Sequence, residues 1–331
     1  MKLALLILNW NDATRSIRCL ESVFAQSYSG FDTFLMDNGS EEKDRQALKS
    51  AIAQHNWKLD WIQYEENLQF TGAHLKFFES GWLKNYDYVC LLNNDAVAHP
   101  KWMEKMVDEL RKGETDMIAC HMLQLNDPSK IDSMGLFFLN TGEILPRGYG
   151  RPFDTYVSTA KQIGPAGGAC AYSVKMLEKI EWFDPHFNTG YEDAEFALRS
   201  FLAGYDCKFL RSAIVEHEGS ASIGKIRDME YLLYVQKAIW YSYFKNLNGM
   251  YILLNLPFQL LKYLFVLLMY LLSFQWKMLG MHLRAFAWLI GGGLRQSMKS
   301  RKNSSFLRSI RASTFFLFFD IHRFLQLLNK R

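Results

Sequence analysis

Three short apolar segments in the first hundred residues each stop at a polar cluster rich in Asn and Asp. The segments are Leu3–Leu8, Phe34–Met36 and Tyr88–Leu92, and the clusters read NWND (9–12), DNGS (37–40) and NND (93–95). A continuous apolar run is typical of a parallel strand that is covered on both faces. Stretches with helical periodicity lie between these segments. The alternation predicts an α/β fold with a doubly wound sheet.

The same pattern gives the other elements of the predicted domain. We expect helices over 41–54 and 72–83, a strand near Trp61–Tyr64, and a further helix from Lys101. The α/β domain is predicted to cover residues 1–230. Residues 231–331 are predicted to form a helical, basic and apolar region that associates with a membrane.

The three polar clusters lie at the carboxyl ends of the predicted strands, where doubly wound sheets bind their ligands. Polar loops are also common without a ligand, so this placement favours a site without requiring one. Asp95 is the most informative residue, because a carboxylate at the edge of an apolar core is costly unless something compensates it. Neither a G-x-G-x-x-G motif nor a P-loop motif follows a strand. A divalent cation held by Asp95 would therefore meet the charge of a phosphorylated ligand.

Several motifs together resemble the family 2 inverting glycosyltransferases, in particular their bacterial rhamnosyltransferase-like members. In chain order they read LILNWND, MDNGS, NLQFTGA, LLNNDAVAHPKW, FNTGYEDAEFALRSFLAGYDCKFL and AIVEHEGSAS, and they span about residues 1–225. The resemblance implies a GT-A fold with a mixed sheet, a nucleotide-sugar donor (UDP- or dTDP-linked) and Mg²⁺ or Mn²⁺ as cofactor.

The resemblance also assigns roles by position. Asp193 matches the catalytic base, with Glu192 beside it in support, while Asp95 and His217 match metal-binding positions. The donor-binding positions are Asn9, Asn11, Asp37, Asn67, Gly72 and Asn94. Three departures from the family pattern affect the donor contacts, namely Gln69, His74 and the pair Gln236-Lys237.

Each of these roles has a simpler alternative. Glu192 and Asp193 are also the kind of residues that favour the first turn of a helix, because carboxylates interact well with the helix dipole. His217, which stands between two glutamates, could be a surface histidine in a loop. Asp37 could belong to an ordinary Asp-Asn-Gly turn.

Charge and cysteine usage indicate where such a protein works. The net charge of +4 combines +12 from residue 245 onward (13 basic residues, one acidic) with −8 before it (25 basic, 33 acidic). The five cysteines are odd in number and widely spaced, which fits a reducing compartment and argues against a disulfide framework. The N-terminal apolar run is too short for a signal peptide. We therefore expect the body of the protein to lie on the cytoplasmic side.

The C-terminal region is apolar and basic. From Met250 to Trp276 the only charged residue is Lys262, but Asn255, Pro257 and Gln259 also interrupt the apolar run. Its uninterrupted part is shorter than the roughly 20 residues of a spanning helix. A basic run and a second apolar stretch follow, which favours in-plane or re-entrant helices on an anionic membrane surface, with one true span as the alternative.

These features lead to one functional hypothesis and several rivals. The hypothesis is an inverting glycosyltransferase, peripheral or monotopic at the cytoplasmic face of the inner membrane. It would move a hexose or deoxyhexose to a lipid-linked or glycan acceptor in surface polysaccharide or lipopolysaccharide biosynthesis. A non-catalytic, membrane-tethered sugar-nucleotide-binding scaffold and a transport subunit are the rivals. A nucleic-acid binder is disfavoured because the body of the chain is acidic.

Overall fold

The structure is a computed structural model that describes residues 1–158, 161–219 and 229–303. The chain divides into two compact units. The first contains residues 1–137 and the described part of 146–226, and the second contains residues 138–145 and the described helices that follow. The short segment 138–145 therefore groups with the C-terminal helices, which the two-domain prediction did not anticipate.

The strands and helices alternate as predicted in the first half of the chain. The strands are β1 (Leu3–Asn9), β2 (Asp32–Asn38), β3 (Asp60–Tyr64), β4 (Tyr88–Leu92), β5 (Ala96–Ala98), β6 (Met117–Gln124), β7 (Asp127–Ser133), β8 (Leu136–Phe138), β9 (Ile144–Pro146), β10 (Ala169–Ser173) and β11 (Cys207–His217). The helices of the first unit are α1 (Ala13–Phe24), α2 (Glu42–His55), α3 (Gln69–Glu79), α4 (Trp102–Leu110), α5 (Val174–Ile180) and α6 (Glu192–Leu202).

The predicted helix over 72–83 was wrong in its bounds. It begins at Gln69 and ends at Glu79. Gly81 then adopts a φ of +81°, a conformation that stops a helix, and a short 3₁₀ turn follows at Trp82–Asn85.

Nine strands form one mixed sheet in the order β3-β2-β1-β4-β10-β6-β11-β5, with β7 paired to β6. Strands β1 to β4 are parallel to one another, whereas β10 runs antiparallel between β4 and β6. The chain moves outward from β1 to β2 and β3, then returns to the other side of β1 with β4. The strand order thus reverses at β1 and β4, and a crevice is expected beyond their carboxyl ends.

Alternate residues of β1 serve two separate cores, one on each face of the sheet. Leu5 lies in a cluster with Leu20 of α1 and Trp102 of α4. Leu6, on the opposite face, lies in a cluster with Phe77 of α3 and Phe196 of α6. Because both faces of the strand are covered, its sequence is apolar without interruption, as the prediction required.

The second unit consists of the segment 138–145 and the described C-terminal helices. Its helices are α7 (Met229–Asn246), α8 (Gly249–Leu272), α9 (Trp276–Trp288) and α10 (Leu294–Asn303), with a π-helical turn at Leu289–Gly293 between the last two. The predicted second apolar stretch near the C-terminus and the end of the basic run, residues 304–331, lie outside the described residues.

Helix α8 has its polar and apolar faces reversed relative to a helix of a water-soluble protein. Asn255 and Gln259 are buried, while Leu254, Leu261 and Leu264 are 60%, 65% and 62% exposed. The Gln259 side chain donates a hydrogen bond to the Thr141 carbonyl at 3.2 Å. These polar residues interrupt the apolar run, as the sequence shows, but they lie within one continuous helix. The preference for in-plane or re-entrant helices over one true span stays a prediction.

Two partners on the segment 138–145 satisfy the single charge of α8. Lys262 forms an ion pair with Glu143 and donates to the Thr141 hydroxyl at 3.1 Å. Of the described helices, α8 alone is long and apolar enough to cross a membrane by length and composition, with a mean hydropathy of 1.8 over its most apolar window.

We expect Gly39→Ala to destabilise the fold through a clash with backbone. Gly39 has a φ of +73°, and a Cβ there would lie 2.4 Å from the backbone carbon of Glu66. Left-handed backbone and overpacking together should lower the free energy of unfolding by about 3 kcal/mol. Urea denaturation measures this difference.

The matched control is Gly113→Ala. Gly113 has a φ of +69°, but its Cβ would meet nothing within 4 Å. The control should therefore lower the free energy of unfolding only by the strain of a left-handed alanine, about 1 kcal/mol. An equal loss of unfolding free energy in the two variants would contradict the close packing of residues 39 and 66.

Candidate active site

The first polar cluster is joined to the second by a buried hydrogen-bond network centred on Asn9. Asn9 pairs in register with Asp37 across β1 and β2. Its side-chain amide lies 3.1 Å from Asp37 Oδ1, 3.1 Å from Ser40 Oγ and 2.8 Å from Asp44 Oδ2, and its oxygen accepts from Ser16 Oγ at 2.7 Å. The predicted contacts of Asn9 and Asp37 with a donor remain predictions. Both side chains are fully buried, so such a contact would have to displace these partners.

Arg45 of α2 neutralises Asp37. Its Nε donates to Asp37 Oδ2 at 2.7 Å, and its Nη2 donates to the Tyr64 carbonyl at 3.2 Å. A buried carboxylate requires such a partner. The sequence analysis did not identify Arg45, because it lies in a helix whose charged residues look like an ordinary solvated surface.

Asn11 shapes the loop that follows β1. It has a left-handed backbone, with φ +50°, and its side-chain oxygen accepts from the Glu41 N–H at 2.7 Å. Trp10, beside it, is 48% exposed although it is a large apolar residue. An exposed aromatic ring at a ligand-binding edge can stack on a planar ligand. The sequence analysis gave Trp10 no role, although an aromatic residue between two asparagines was a visible signal.

The predicted donor positions Asn67 and Gly72 lie where α3 begins. Asn67 Oδ1 accepts hydrogen bonds from Asn38 Nδ2 at 2.9 Å and from the Gln69 N–H at 2.8 Å. Asn38, which was not predicted as a site residue, also accepts from the Leu68 N–H at 2.9 Å. Gly72 lies within α3, where an added Cβ would lie 3.3 Å from the Leu68 Cβ, a tight contact. The second polar cluster thus holds this loop in place.

Asp95 and His217 face each other at the ends of β4 and β11. Asp95 Oδ1 lies 3.1 Å from His217 Nε2, and His217 Nδ1 lies 3.0 Å from Asp132 Oδ2. Burial lowers the pKa of His217, but its hydrogen bonds to Asp132 and Asp95 outweigh this and raise the pKa to about 10. Burial raises the pKa of Asp95, but His217 more than offsets this and lowers it.

His217 is the last residue of β11 and is mostly buried, so the alternative of a surface loop histidine was wrong. Asp132 was missed, because β7 carries no local pattern that would link it to a histidine 85 residues later. Asn94, next to Asp95, donates from Nδ2 to Ser16 Oγ at 3.0 Å. This contact connects the third cluster to the network around Asn9.

The side chains of Asp95 and His217 fit a divalent cation as part of its ligand set once His217 gives up a proton, because only the neutral imidazole is a ligand and metal binding releases protons. A carboxylate oxygen suits Mg²⁺ and Mn²⁺, and an imidazole nitrogen is a further common ligand of transition metals. No group of three or more His, Cys, Asp or Glu side chains within the described residues could hold a metal ion. The protein would therefore supply two ligands, and a diphosphate and water would supply the rest, as is usual for Mg²⁺.

Asp193 lies in the first turn of α6, as the sequence pattern predicts. Its Oδ2 accepts from the Gly167 N–H at 2.8 Å and its Oδ1 from the Ala194 N–H at 2.7 Å. Burial raises its pKa despite these two hydrogen bonds. A raised pKa makes a carboxylate a stronger proton acceptor.

Glu192, next to Asp193, is more deeply buried. Among the described residues its Oε2 has no hydrogen-bond partner. Burial, followed by the charge of Asp193, raises the pKa of Glu192 well above the usual carboxyl range. Two adjacent carboxyl groups with raised pKa values are characteristic of a functional site.

The segment Gly167–Gly168 lies between the proposed base and the proposed metal ligands. A Cβ on Gly167 would lie 3.2 Å from Asp193 Cβ, and a Cβ on Gly168 would lie 3.4 Å from His217 Nε2. Consecutive Cα atoms are only about 3.8 Å apart. Asp193 and His217 therefore flank one short segment at the same edge of the sheet, and Asp95 contacts His217 there.

Two curated proteins are similar to part of this chain. The hyaluronan synthase of Pasteurella multocida is 26% identical over 232 residues, covering 61% of this chain and 23% of that protein. The chondroitin synthase of Pasteurella multocida (strain Pm70) is 24% identical over 213 residues, covering 57% and 22%. The chain thus spans less than a quarter of the length of these relatives.

Solved structures show the same fold. TarS of S. aureus has a TM-score of 0.53 and 15% identity, covering 78% of this chain and 43% of that chain. The mannosyltransferase PcManGT from Pyrobaculum calidifontis has a TM-score of 0.52 and 13% identity, covering 92% and 84%. The predicted GT-A fold with its mixed sheet is confirmed.

Residues 5–180 match glycosyl transferase family 2. This segment exceeds half of the 331 residues and contains the polar clusters at the ends of β2 and β4, with Asp37 and Asp95. The chain belongs to glycosyl transferase family 2.

Proposed function

We propose that this protein is an inverting glycosyltransferase of the rhamnosyltransferase-like type. It moves a hexose or deoxyhexose from a UDP- or dTDP-linked donor to a lipid-linked or glycan acceptor. It acts in surface polysaccharide or lipopolysaccharide biosynthesis at the cytoplasmic face of the inner membrane, where its helices attach it as a peripheral or monotopic protein.

One observation carries the reaction type. Asp193 lies beside Gly167, and His217, which contacts Asp95, lies beside the next residue, Gly168. This proximity supports a proposed base and two proposed metal ligands at one edge of the sheet. An inverting transfer requires this separation of tasks. A base must reach the attacking hydroxyl on one side of the anomeric carbon, while the leaving diphosphate is held on the other.

In the proposed reaction the acceptor hydroxyl attacks the anomeric carbon from the side opposite the diphosphate. The new bond joins the acceptor oxygen to that carbon, the bond to the diphosphate oxygen breaks, and the hydroxyl proton passes to an Asp193 carboxylate oxygen. The N–H groups of Gly167 and Ala194 orient this carboxylate through their hydrogen bonds. A divalent cation, when bound by Asp95 and His217, would neutralise charge on the leaving diphosphate.

The identity of the donor and cation draws on proteins of the same fold. TarS is described in complex with UDP, and PcManGT in complex with GDP-Man and Mn²⁺. These names support a nucleotide-diphosphate sugar as donor and Mn²⁺ or Mg²⁺ as cofactor for this chain. Hyaluronan synthase and chondroitin synthase, the names of the curated relatives, support polysaccharide assembly as the process.

Helix α8 and the charge of the residues after it support membrane attachment. The helix is 24 residues long, about 36 Å at the rise of an α-helix, and its exposed face is formed by leucines and phenylalanines. Residues 276–303 contain six basic residues and no acidic ones. Apolar side chains beside a basic segment suit insertion at an anionic leaflet.

We expect the full chain in purified membranes to release nucleoside diphosphate from at least one sugar of a UDP- and dTDP-sugar panel. EDTA should abolish the release, because the diphosphate then lacks its counter-charge. Asp193→Asn should lower turnover by about 10²- to 10⁴-fold, the usual contribution of a general base. The measurement is nucleoside diphosphate release coupled to product detection by mass spectrometry.

The matched control is Asp108→Asn, which changes an exposed aspartate on α4 and should leave turnover unchanged. Full turnover by Asp193→Asn would remove this residue as the base. Binding of a sugar nucleotide without any turnover by the wild type would instead favour the non-catalytic scaffold. Nucleoside diphosphate release that is unchanged by EDTA would contradict the proposed metal dependence.

Glu192→Gln should stabilise the protein more at pH 8 than at pH 5. The pKa of Glu192 is raised in the folded state, so its stabilising contribution is present at low pH and is lost as the pH rises through that raised pKa. Gln keeps the size of the side chain and removes the cost of ionisation. Urea denaturation at about pH 5 and about pH 8 measures the difference, and an equal effect at both values would contradict a protonated Glu192.

The double variant Leu261→Asp, Leu264→Asp should lose binding to vesicles of phosphatidylglycerol and phosphatidylethanolamine. Both leucines are on the exposed face of α8, and a carboxylate there opposes insertion and repels the anionic surface. Flotation of the full chain on a sucrose gradient measures binding, with circular dichroism to check folding.

Val157→Asp is the control, because Val157 is 75% exposed in the first unit and should not affect flotation. High salt should leave wild-type binding largely intact, since buried apolar contacts are not screened. Normal flotation of the folded double variant would contradict lipid insertion of this face.

A further inference from the structure

Helix α3 is capped by a segment from a distant part of the chain. The first amides of any helix lack partners within it, and Leu68 at the cap position has no side chain that could bind them. The Phe70 N–H donates to Thr189 Oγ1 at 3.1 Å, and the Thr71 N–H donates to the Asn188 carbonyl at 2.9 Å. The start of α3 is thus satisfied by residues about 120 positions later.

The Thr189 hydroxyl takes part in two hydrogen bonds. It accepts from the Phe70 N–H and donates to Gln69 Oε1 at 3.1 Å. Gln69 has a φ of +61°, which is unusual and costly for a residue other than glycine. A strained residue persists where its surroundings demand it, and here its side chain reaches the segment that precedes α6.

The same segment leads directly into the proposed catalytic residues. After Thr189 the chain passes through Gly190 at φ +89° and Tyr191 at φ +76°, and α6 then starts with Glu192 and Asp193. Two successive left-handed residues require support from elsewhere to keep one conformation. The hydrogen bonds to α3 act on the chain four residues before Asp193.

We propose that Thr189 and Gln69 are positioning residues that hold Asp193 in place through the cap of α3. The other end of this connection is the loop of Asn67, which Asn38 at the end of β2 also holds. The cap therefore links the predicted nucleotide loop to the base, so that the two are aligned in one closed arrangement. This inference rests on the proposed role of Asp193 as the base.

The first test needs no substrate. Amide hydrogen exchange of the full chain is compared for the wild type, Thr189→Val and Thr189→Ser. Valine has the shape of threonine without its hydroxyl, whereas serine keeps both hydrogen bonds. We expect Thr189→Val to speed exchange at Phe70 and also across residues 190–194, and Thr189→Ser to resemble the wild type. Faster exchange at Phe70 alone would reduce Thr189 to a local helix cap and overturn the proposal.

The second test is kinetic, with the sugar nucleotide that the wild type turns over. Thr189→Val should lower kcat by about ten-fold or more, because small displacements of a catalytic group are costly, while the KM for the sugar nucleotide changes less than about two-fold. Gln69→Gly should lower kcat although it removes backbone strain and leaves Tm unchanged or higher. A merely structural role predicts that activity follows Tm, and that result would contradict the proposal.

Ser173→Ala is the matched control for loss of a helix cap. Ser173 caps α5 by accepting from the Met176 N–H, so this variant should lower Tm and keep kcat. If the wild type turns over no sugar nucleotide, the proposed function fails, whereas the exchange experiment still decides whether the α3 cap controls residues 190–194.

Discussion

The site depends on how strand β10 is inserted into the sheet. This strand runs antiparallel between β4 and β6. The two glycines that lead into it bind the start of α6 and the end of β4. The Gly167 N–H donates to Asp193, and the Gly168 carbonyl accepts from the Asn93 N–H at 2.9 Å. Main-chain atoms therefore set the spacing between the proposed base and the proposed metal ligands. A Cβ on Gly167 would lie 3.2 Å from Asp193 Cβ, and a Cβ on Gly168 would lie 2.5 Å from Met122 Cε, so a side chain at either position would displace its neighbours.

Behind this edge, buried polar groups hold the loops in place. The network from Asn9 through Ser16 to Asn94 joins the first and third polar clusters, and Asp37 with Arg45 extends it into α2. Unpaired groups at this depth would each cost about 1–3 kcal/mol. Because the partners satisfy one another, the network favours one arrangement of the strand ends. Residues that seemed from the sequence to be direct ligand contacts thus also build the framework of the site.

The sequence predicted those parts of the protein that depend on local patterns. Apolar runs and helical periodicity located the strands around Asn9, Asp37 and Asp95, and the first-turn carboxylates located the start of α6. Contacts between distant segments could not be predicted in this way. Asp132 and Thr189 are ordinary residues in the sequence, and only the folding of β7 and of the segment before α6 brings them to His217 and to α3. Likewise, the polar residues of α8 looked in the sequence like breaks in an apolar segment. Their hydrogen-bond partners on residues 138–145 could be identified only from the fold.

That partner also explains why a short segment from the middle of the chain groups with the C-terminal helices. Lys262 and Gln259 would be costly in an apolar medium without hydrogen-bond partners. Glu143 pairs with the Lys262 ammonium and Thr141 accepts from the Gln259 amide N–H, whereas the outward face of α8 consists of apolar side chains. In water this face would remain a large exposed apolar surface, which is unfavourable. In the proposed membrane-attached state, lipid would remove that cost without adding any polar group that needs a partner, which is the physical reason for proposing α8 as the attachment helix.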